Sequence, residues 1–348
     1  MGLLSNLKSF LSSFGSKNFD TNDIEFLKKI IANNSIDGKL LNWNDDSYDN
    51  WDGITWTESD PLKVERIDLE IKEDEVPFLH GKIDLSGFSS LRMFDCVNQN
   101  INALNSNGLL NLKKLNLENN NIEEVNLNRT HNLKELYLGN NNLSQIDLSQ
   151  CENLEVFGAD NNNLQTIDCS RNKNLVELSC KNNNLKSLDV TNNPELWYLY
   201  CTDNELSQID LSKSKKLVHL WVCNNKFKNV DLSLLSNLED FHCNNNEIEN
   251  LDISNLKELR QLRCNNNKLE QLNLTNFESL EDIECEYNKL KKLNIENLPK
   301  LFYLLCSGND FTEITLSNVS DKLEVNFNKV EFNLNSKVTI HKIEIVEN

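Results

Sequence analysis

The sequence is short of positive charge. Its 35 Lys and Arg residues stand against 54 Asp and Glu residues, which gives a formal net charge of −19. Proteins that bind nucleic acid use Lys and Arg to neutralise phosphates, so this balance argues against a nucleic-acid partner. It also argues against adhesion to an anionic membrane surface, whereas a basic protein segment would be attracted to the acidic chain.

The sequence also lacks a long apolar run. A membrane-spanning helix needs roughly 20 consecutive apolar residues, and no stretch approaches that length. Residues 1–14 carry apolar side chains at helical spacing, which predicts a short amphipathic helix rather than the core of a signal peptide. The ten cysteines do not resemble a secreted disulfide scaffold. We therefore expect no membrane span, and a cytoplasmic protein or an effector translocated without a cleaved signal peptide.

What the sequence does contain is a 21-residue repeat that runs through eleven units without an insertion. The consensus of the unit is L-x-x-L-x-C/L-x-x-N-x-L-x-x-L-x-L, and the starting residues are Leu91, Leu112, Leu133, Leu154, Leu175, Leu196, Leu217, Leu238, Leu259, Leu280 and Leu301. The L-x-L alternation predicts a short strand with one buried face. One coil cannot bury that face alone, so successive coils must stack. The repeat predicts a leucine-rich-repeat solenoid, with a parallel β-sheet on its concave face and mostly extended and turn structure on its convex face.

Two polar residues recur within the unit. Asn stands eight places after the start of every unit except the first, which has Gln99. A chain that turns inward after each strand buries backbone donors and acceptors, and an Asn amide can pair with both, so we predict an asparagine ladder. In the second half of the unit we expect solvated turn residues, at Asp147, Asp168, Asp189, Asp210, Asp231 and Asp252.

The two ends of a stacked core need caps. Residues 1–63 predict a helical N-terminal cap, in which Asn22-x-x-Glu25 has the form of a capping box. Residues 64–90 predict a degenerate first repeat, residues 91–321 the eleven regular repeats, and residues 322–348 a β cap at the C-terminal end.

Seven cysteines share the slot five places after the start, where Leu, Ala and Val stand in other units: Cys96, Cys180, Cys201, Cys243, Cys264, Cys285 and Cys306. Exchange with aliphatic residues predicts small buried side chains rather than metal ligands. Cys223 lies one place beyond this slot, so we expect it to be the most accessible thiol of the repeats, with Cys151 in a turn as its competitor.

This unit, with Cys in its strand, resembles the cysteine-ladder leucine-rich repeats of the internalin J-like bacterial proteins, over Leu91 to Leu316. The resemblance implies a module that binds protein or glycan, of a kind used by bacteria at a host interface. The segment W-x-G-I-T-W at residues 51–56 is similar to the N-terminal cap of plant receptor leucine-rich repeats, where W-x-G-V-x-C is usual. The missing cap Cys fits a reducing compartment.

Residues two, four and six places after each start should point away from the core. Four consecutive units place aromatic and basic residues there, namely Tyr198, Tyr200, His219, Trp221, His242 and Arg263, with Tyr137 and Tyr303 further along the same columns. An acidic block follows, made of Asp240, Asp282, Glu284 and Glu286. Because Trp, Tyr and Arg anchor protein interfaces, we predict a site for a protein partner with a basic segment beside an apolar or planar group.

Other functions stay open at this point. Aromatic rows with carboxylates also suit a glycan or peptidoglycan, the chain could be the recognition subunit of a separate enzyme, and it could be a structural spacer. No His–Asp or His–Asn arrangement for nucleophilic catalysis is apparent, so we expect a non-enzymatic monomer without a cofactor. His219, Cys223 and His242 lack a fourth ligand and a compact motif, so we expect no metal site.

Overall fold

The computed structural model describes residues 17–34, 48, 51–69, 79–320, 322–326 and 344–345. The chain divides into two compact units, Met1–Leu133 (unit 1) and Lys134–Asn348 (unit 2). The helix predicted for residues 1–14 lies outside the described residues, as do residues 327–343 of the predicted C-terminal cap. No described helix is both long enough and apolar enough to cross a membrane.

Unit 1 begins with one described helix and continues in short strands. These elements are α1 (Thr21–Asn34), β1 (Ile54–Trp56), β2 (Val64–Asp68), β3 (His80–Asp84), β4 (Met93–Asp95), β5 (Asn100–Asn105), β6 (Lys114–Asn116) and β7 (Glu124–Asn126). Strand β1 pairs antiparallel with β2, and β2, β4 and β6 follow one another in parallel. Strands β3, β5 and β7 form a second parallel sheet from the other half of the coils.

Helix α1 begins after Asp20, and the capping box predicted at Asn22 is wrong. The Oδ1 atom of Asp20 accepts hydrogen bonds from the backbone N–H groups of Asn22, at 2.9 Å, and Asp23, at 3.2 Å. Asp20 takes this role because its carboxylate precedes the first turn and reaches its unpaired N–H groups. Asp23 is buried and accepts a 2.7 Å hydrogen bond from the Val64 N–H, which ties α1 to β2.

Unit 2 is built of regular coils. Its strands are β8 (Glu135–Tyr137), β9 (Val156–Gly158), β10 (Glu177–Ser179), β11 (Tyr198–Tyr200), β12 (His219–Trp221), β13 (Asp240–His242), β14 (Gln261–Arg263), β15 (Asn273–Thr275), β16 (Asp282–Glu284), β17 (Lys292–Leu298), β18 (Tyr303–Leu305), β19 (Glu313–Val319), β20 (Glu324–Asn326) and β21 (Glu344–Ile345). The main sheet runs β8 to β14, then β16, β18, β20 and β21, with every pairing parallel. This confirms the predicted leucine-rich-repeat fold.

The 21-residue register continues one coil further than the repeated leucines. Tyr303 pairs with Glu324 and Leu304 pairs with Val325, so β20 stands one repeat length after β18. Leu323 and Val325 are buried at this end. The backbone keeps the register at this end because the alternation of apolar and polar residues persists, even though the starting Leu is replaced by Lys322.

The second half of each coil is extended or turned, as predicted. Strands β15, β17 and β19 form a parallel sheet there. In the coils before β15 the same part of the repeat makes tight turns, in which an Asp side chain accepts a hydrogen bond from the backbone N–H two residues later. These six aspartates are exposed, and the hydrogen bonds lower the pKa of their carboxyls, which confirms their role as solvated turn residues.

The core of each coil holds the predicted apolar slots. In the coil that carries β11, Leu196, Leu199 and Cys201 have no exposed surface. All seven cysteines of the ladder are fully buried, and none of the ten cysteines is in a disulfide. Burial raises the pKa of Cys201 and of Cys264 to about 12. These thiols therefore stay protonated and pack as small hydrophobic groups.

The asparagine ladder binds each coil to the one before it. The Asn204 amide donates to the carbonyl oxygen of Cys180, in the preceding coil, at 2.9 Å. It also donates to Cys201 O at 3.2 Å and Thr202 O at 3.3 Å in its own coil. Its Oδ1 accepts from the Leu185 N–H at 3.0 Å. The same bonds recur at 21-residue steps in unit 2, so the ladder satisfies the backbone groups that the inward turn buries.

Candidate functional site

Parallel pairing in register aligns the predicted site residues of unit 2 into columns. Tyr198 pairs with His219 and Tyr200 pairs with Trp221 across β11 and β12. The outward column that starts at Tyr198 continues through His219, Asp240, Gln261, Asp282 and Tyr303. The column that starts at Tyr200 continues through Trp221, His242, Arg263, Glu284 and Leu305. We call this side of the sheet the strand face of unit 2.

Five rings of these columns form one connected surface, which we call the aromatic patch: Tyr198, Tyr200, His219, Trp221 and His242. The Tyr198 ring lies 5.0 Å from His219 and 6.4 Å from Tyr200, between ring centroids. Trp221 contacts Tyr200 at 4.7 Å and stacks on His242 at 4.9 Å with an interplanar angle of 14°. Aromatic pairs at these separations attract one another beyond their burial of area, so the patch is held in place before any partner arrives.

Asp240 supports the patch from within. Its carboxylate accepts a 3.3 Å hydrogen bond from Trp221 Nε1, and its Oδ1 lies 2.8 Å from His242 Nε2. The second oxygen lies 3.9 Å from His219 Nδ1. Burial acts to raise the pKa of Asp240, but His242, Trp221 and His219 outweigh it, so the pKa is lowered. The carboxylate therefore stays ionised and fixes the three rings around it.

Arg263 holds the next part of the strand face. Its guanidinium lies 3.3 Å from Asp282 Oδ2 through Nη2 and 3.3 Å from Glu284 Oε1 through Nε. Burial raises the pKa of Asp282 in spite of this neighbour. Glu286, in the column further along the coil, accepts a short hydrogen bond from the Ser307 hydroxyl. The acidic block is thus partly neutralised by contacts within the protein.

The structure brings together most of the predicted site but not all of it. Tyr137 lies on β8, and β9 and β10 separate it from the patch. Tyr303 lies beside Asp282 at the far side of the acidic block. His242 and Asp282 are each only 8% exposed, less than an open surface position predicts, because Trp221 stacks over the first and Arg263 pairs with the second. These two side chains therefore position Trp221 and Arg263 and offer little surface of their own to a partner.

Sequence reasoning left out residues that border the patch. Lys181 Nζ lies 5.5 Å from the Tyr200 ring centroid and 5.9 Å from that of Trp221, and it pairs with Asp160 at 3.0 Å. Trp197 directly precedes β11 and is 46% exposed. Both could have been found from the repeat, because Lys181 lies in an outward column and Trp197 occupies the slot directly after the starting Leu, which the adjacent coils fill with the smaller Val176 and Val218.

Cys223 is the single thiol of the chain that is not buried, which confirms its prediction; Cys151 is fully buried because its turn packs against the core.

We expect a small alkylating reagent to modify one thiol per native chain and Cys223→Ser to abolish that rapid reaction. Burial raises the pKa of Cys223, so the alkylation rate should continue to rise with pH at values above the pKa of a free thiol. Intact mass over time measures this. Unchanged rapid labelling of Cys223→Ser would refute it.

The residues that the structure describes contain no group of three or more His, Cys, Asp and Glu side chains that could hold a metal ion. No protein-family model and no curated protein matches the chain. Its similarity to known proteins is therefore described from solved structures.

Three solved structures share the architecture. The functional domain of InlJ from Listeria monocytogenes, which includes a cysteine ladder, is 23% identical with a TM-score of 0.65, over 80% of this chain and 66% of that one. The internalin InlF from Listeria monocytogenes is 24% identical with a TM-score of 0.52, over 69% of this chain and 77% of that one. The Arabidopsis receptor kinase HAESA is 22% identical with a TM-score of 0.67, over 88% of this chain and 58% of that one.

These likenesses concern the fold alone. The match to InlJ spans just under two thirds of that domain, and the match to HAESA spans less. The internalin J-like resemblance drawn from the 21-residue unit is confirmed at this level, since the ladder cysteines are buried as that repeat requires. The chain has the leucine-rich-repeat fold that internalins and plant receptor ectodomains share.

Proposed function

We propose that the strand face of unit 2 is a binding site for a protein partner, and that the aromatic patch is its centre. The observation that carries the proposal is the run of rings from Tyr198 to His242, which the core does not need. Tyr198, Tyr200, His219 and Trp221 stay partly exposed, whereas the interior of the same coils is filled by leucines and cysteines. Exposed Trp and Tyr held rigid by their neighbours lose little entropy on binding, as interface anchors require.

The charges around the patch favour a basic partner. Asp282, Glu284 and Glu286 lie on one side of the rings, Asp160 and Glu177 lie on the other, and Asp240 lies among them. The whole chain carries a net charge of −19, which would speed the approach of a basic segment at low ionic strength. Among the structural neighbours, HAESA is seen in complex with a peptide hormone and a co-receptor. A peptide or protein ligand is therefore the class we assign to this face.

The proposal is tested by removing the two central rings. We expect Tyr200→Ala with Trp221→Ala to abolish capture of partner proteins, because each ring contacts the other and truncating an anchor costs roughly 2 kcal/mol or more. Affinity capture on the immobilised intact chain, read by quantitative mass spectrometry, compares this variant with wild type. Circular dichroism should stay unchanged, since neither side chain is part of the core.

Leu234→Ala is the matched control. Leu234 is 47% exposed and follows the Asp231 turn in the second half of its coil, away from the strands. Proteins retained by wild type should be retained by this control and lost with the double variant. Retention of the same proteins by the double variant would show that the aromatic patch does not bind them. Retention of an immobilised glycan, with no protein dependent on Tyr200 and Trp221, would assign the face to the sugar-binding alternative.

A further inference from the structure

The rim of the strand face changes character next to the patch. The rim slot is the residue directly after each starting Leu, immediately before the strand. In the coils of β8, β9, β13, β14 and β16 it carries paired charges, with Lys134 Nζ 2.5 Å from Glu155 Oε1 and Arg260 Nη2 2.9 Å from Glu281 Oε1, and in the coil of β18 it carries Phe302. Three consecutive coils carry Val176, Trp197 and Val218 instead. Hydrogen bonds from Trp197 N to Val176 O, 2.8 Å, and from Val218 N to Trp197 O, 2.9 Å, show that the three are adjacent.

Glu177 is the strand-face acid that is nearest in sequence to this apolar rim. It follows Val176 and pairs in register with Tyr198. Within the described ranges its carboxylate makes no ion pair or hydrogen bond. The other strand-face acids from β9 to β16 each have a side-chain partner, namely Asp160 with Lys181, Asp240 with Trp221, Asp282 and Glu284 with Arg263, and Glu286 with Ser307. Burial raises the pKa of Glu177, and its nearby cation Lys181 is already paired with Asp160.

The geometry points to a subsite for a basic side chain of the partner, formed by Trp197, Tyr198 and Glu177. This inference rests on the proposed function and extends it to residues outside the predicted site. An Arg or Lys side chain has an apolar stem and a charged head. The stem would cover Val176 and Trp197, and the head would meet the Glu177 carboxylate beside the Tyr198 ring.

Both the rings and the carboxylate of the subsite suit an Arg or Lys side chain. Trp and Tyr ring faces attract ammonium and guanidinium groups within about 6 Å of the ring centroid. The patch already does this within the chain, since Lys181 lies over Tyr200 and Trp221. A partly buried carboxylate that makes no ion pair of its own gains a charge-assisted hydrogen bond when a cation arrives. An acidic or a purely apolar partner residue would leave Glu177 unpaired, so charge complementarity selects the basic one.

The test uses peptides whose chemistry is not chosen in advance. Random linear peptides displayed on phage are selected on the immobilised intact chain, and one selected peptide is labelled and titrated by fluorescence anisotropy. We expect the selected sequences to be enriched in Arg or Lys. Replacing the critical Arg by citrulline, or Lys by norleucine, should weaken binding to wild type by about tenfold. In Glu177→Gln the same replacement should cost less than about twofold, because the two changes remove one shared contact.

Trp197→Ala should also weaken binding of the selected peptide by about tenfold. Phe302→Ala is its matched control, since Phe302 fills the same rim slot in another coil and is 50% exposed against 46% for Trp197. Additive effects of Glu177→Gln and the neutral peptide, full binding by Trp197→Ala, or an equal loss with Phe302→Ala would each overturn the subsite. If Tyr200→Ala with Trp221→Ala still abolishes binding in those cases, the proposed function survives without the subsite; if that variant binds normally, the proposed function itself is wrong.

Discussion

Replacing Asn204 by Ala should lower the free energy of unfolding by roughly 3–5 kcal/mol, because several buried backbone groups lose their partner at once and each costs about 1–3 kcal/mol. Asn204 is 9% exposed, and its amide serves three carbonyl oxygens and one N–H group in two successive coils. The loss should be read as a lower midpoint in urea, followed by circular dichroism.

Asn192→Ala is the control for this experiment. Asn192 lies in an exposed turn of the preceding coil, so its loss should change the free energy of unfolding by no more than roughly 0.5 kcal/mol. In a repeat protein each coil is stabilised by its neighbours. Asn204→Ala should therefore also broaden the unfolding transition, because the coils on the two sides of the substitution become less tightly coupled. Equal midpoints for the two variants would mean that the ladder contributes nothing beyond an exposed Asn.

The fold could be predicted from the sequence because each coil is specified by the same local code. The 21-residue step places Leu196, Leu199 and Cys201 in the core of one coil, and the same slots serve every other coil. The buried ladder cysteines, the asparagine bonds and the Asp turns all follow from slot position alone. Where the code is degenerate the prediction is weaker, as at Asp20, which caps α1 in place of Asn22.

The candidate site could be predicted only in outline, because slot position gives the direction of a side chain and not its contacts. The columns identified Tyr200 and Trp221 as outward residues. They could not show that Trp221 would cover His242 and that Asp240 would hold both, since these contacts depend on side-chain angles across neighbouring strands. The alternation of the strand does not identify Trp197, because this residue precedes the strand and belongs to none of its outward columns.

Phe241→Ala should cost roughly 3–5 kcal/mol of unfolding free energy, because a large ring is removed from a close-packed core and leaves a cavity. Phe241 has no exposed surface and lies on β13 between Asp240 and His242. The cavity therefore opens directly beneath the two residues that support Trp221. Thermal and urea unfolding measure the loss of stability, and binding of the selected peptide reports whether the patch loosens.

Phe241→Leu separates the two effects. Leu220 and Leu262, which pair with Phe241 on either side, fill the same slot in the flanking coils, so a Leu here should fit with a cost below about 1.5 kcal/mol. We expect this variant to bind the peptide as wild type does, whereas Phe241→Ala binds more weakly at temperatures where it is still folded. Wild-type affinity in folded Phe241→Ala would show that Asp240 and His242 keep their geometry without support from the core, and that the strand backbone alone positions the rings.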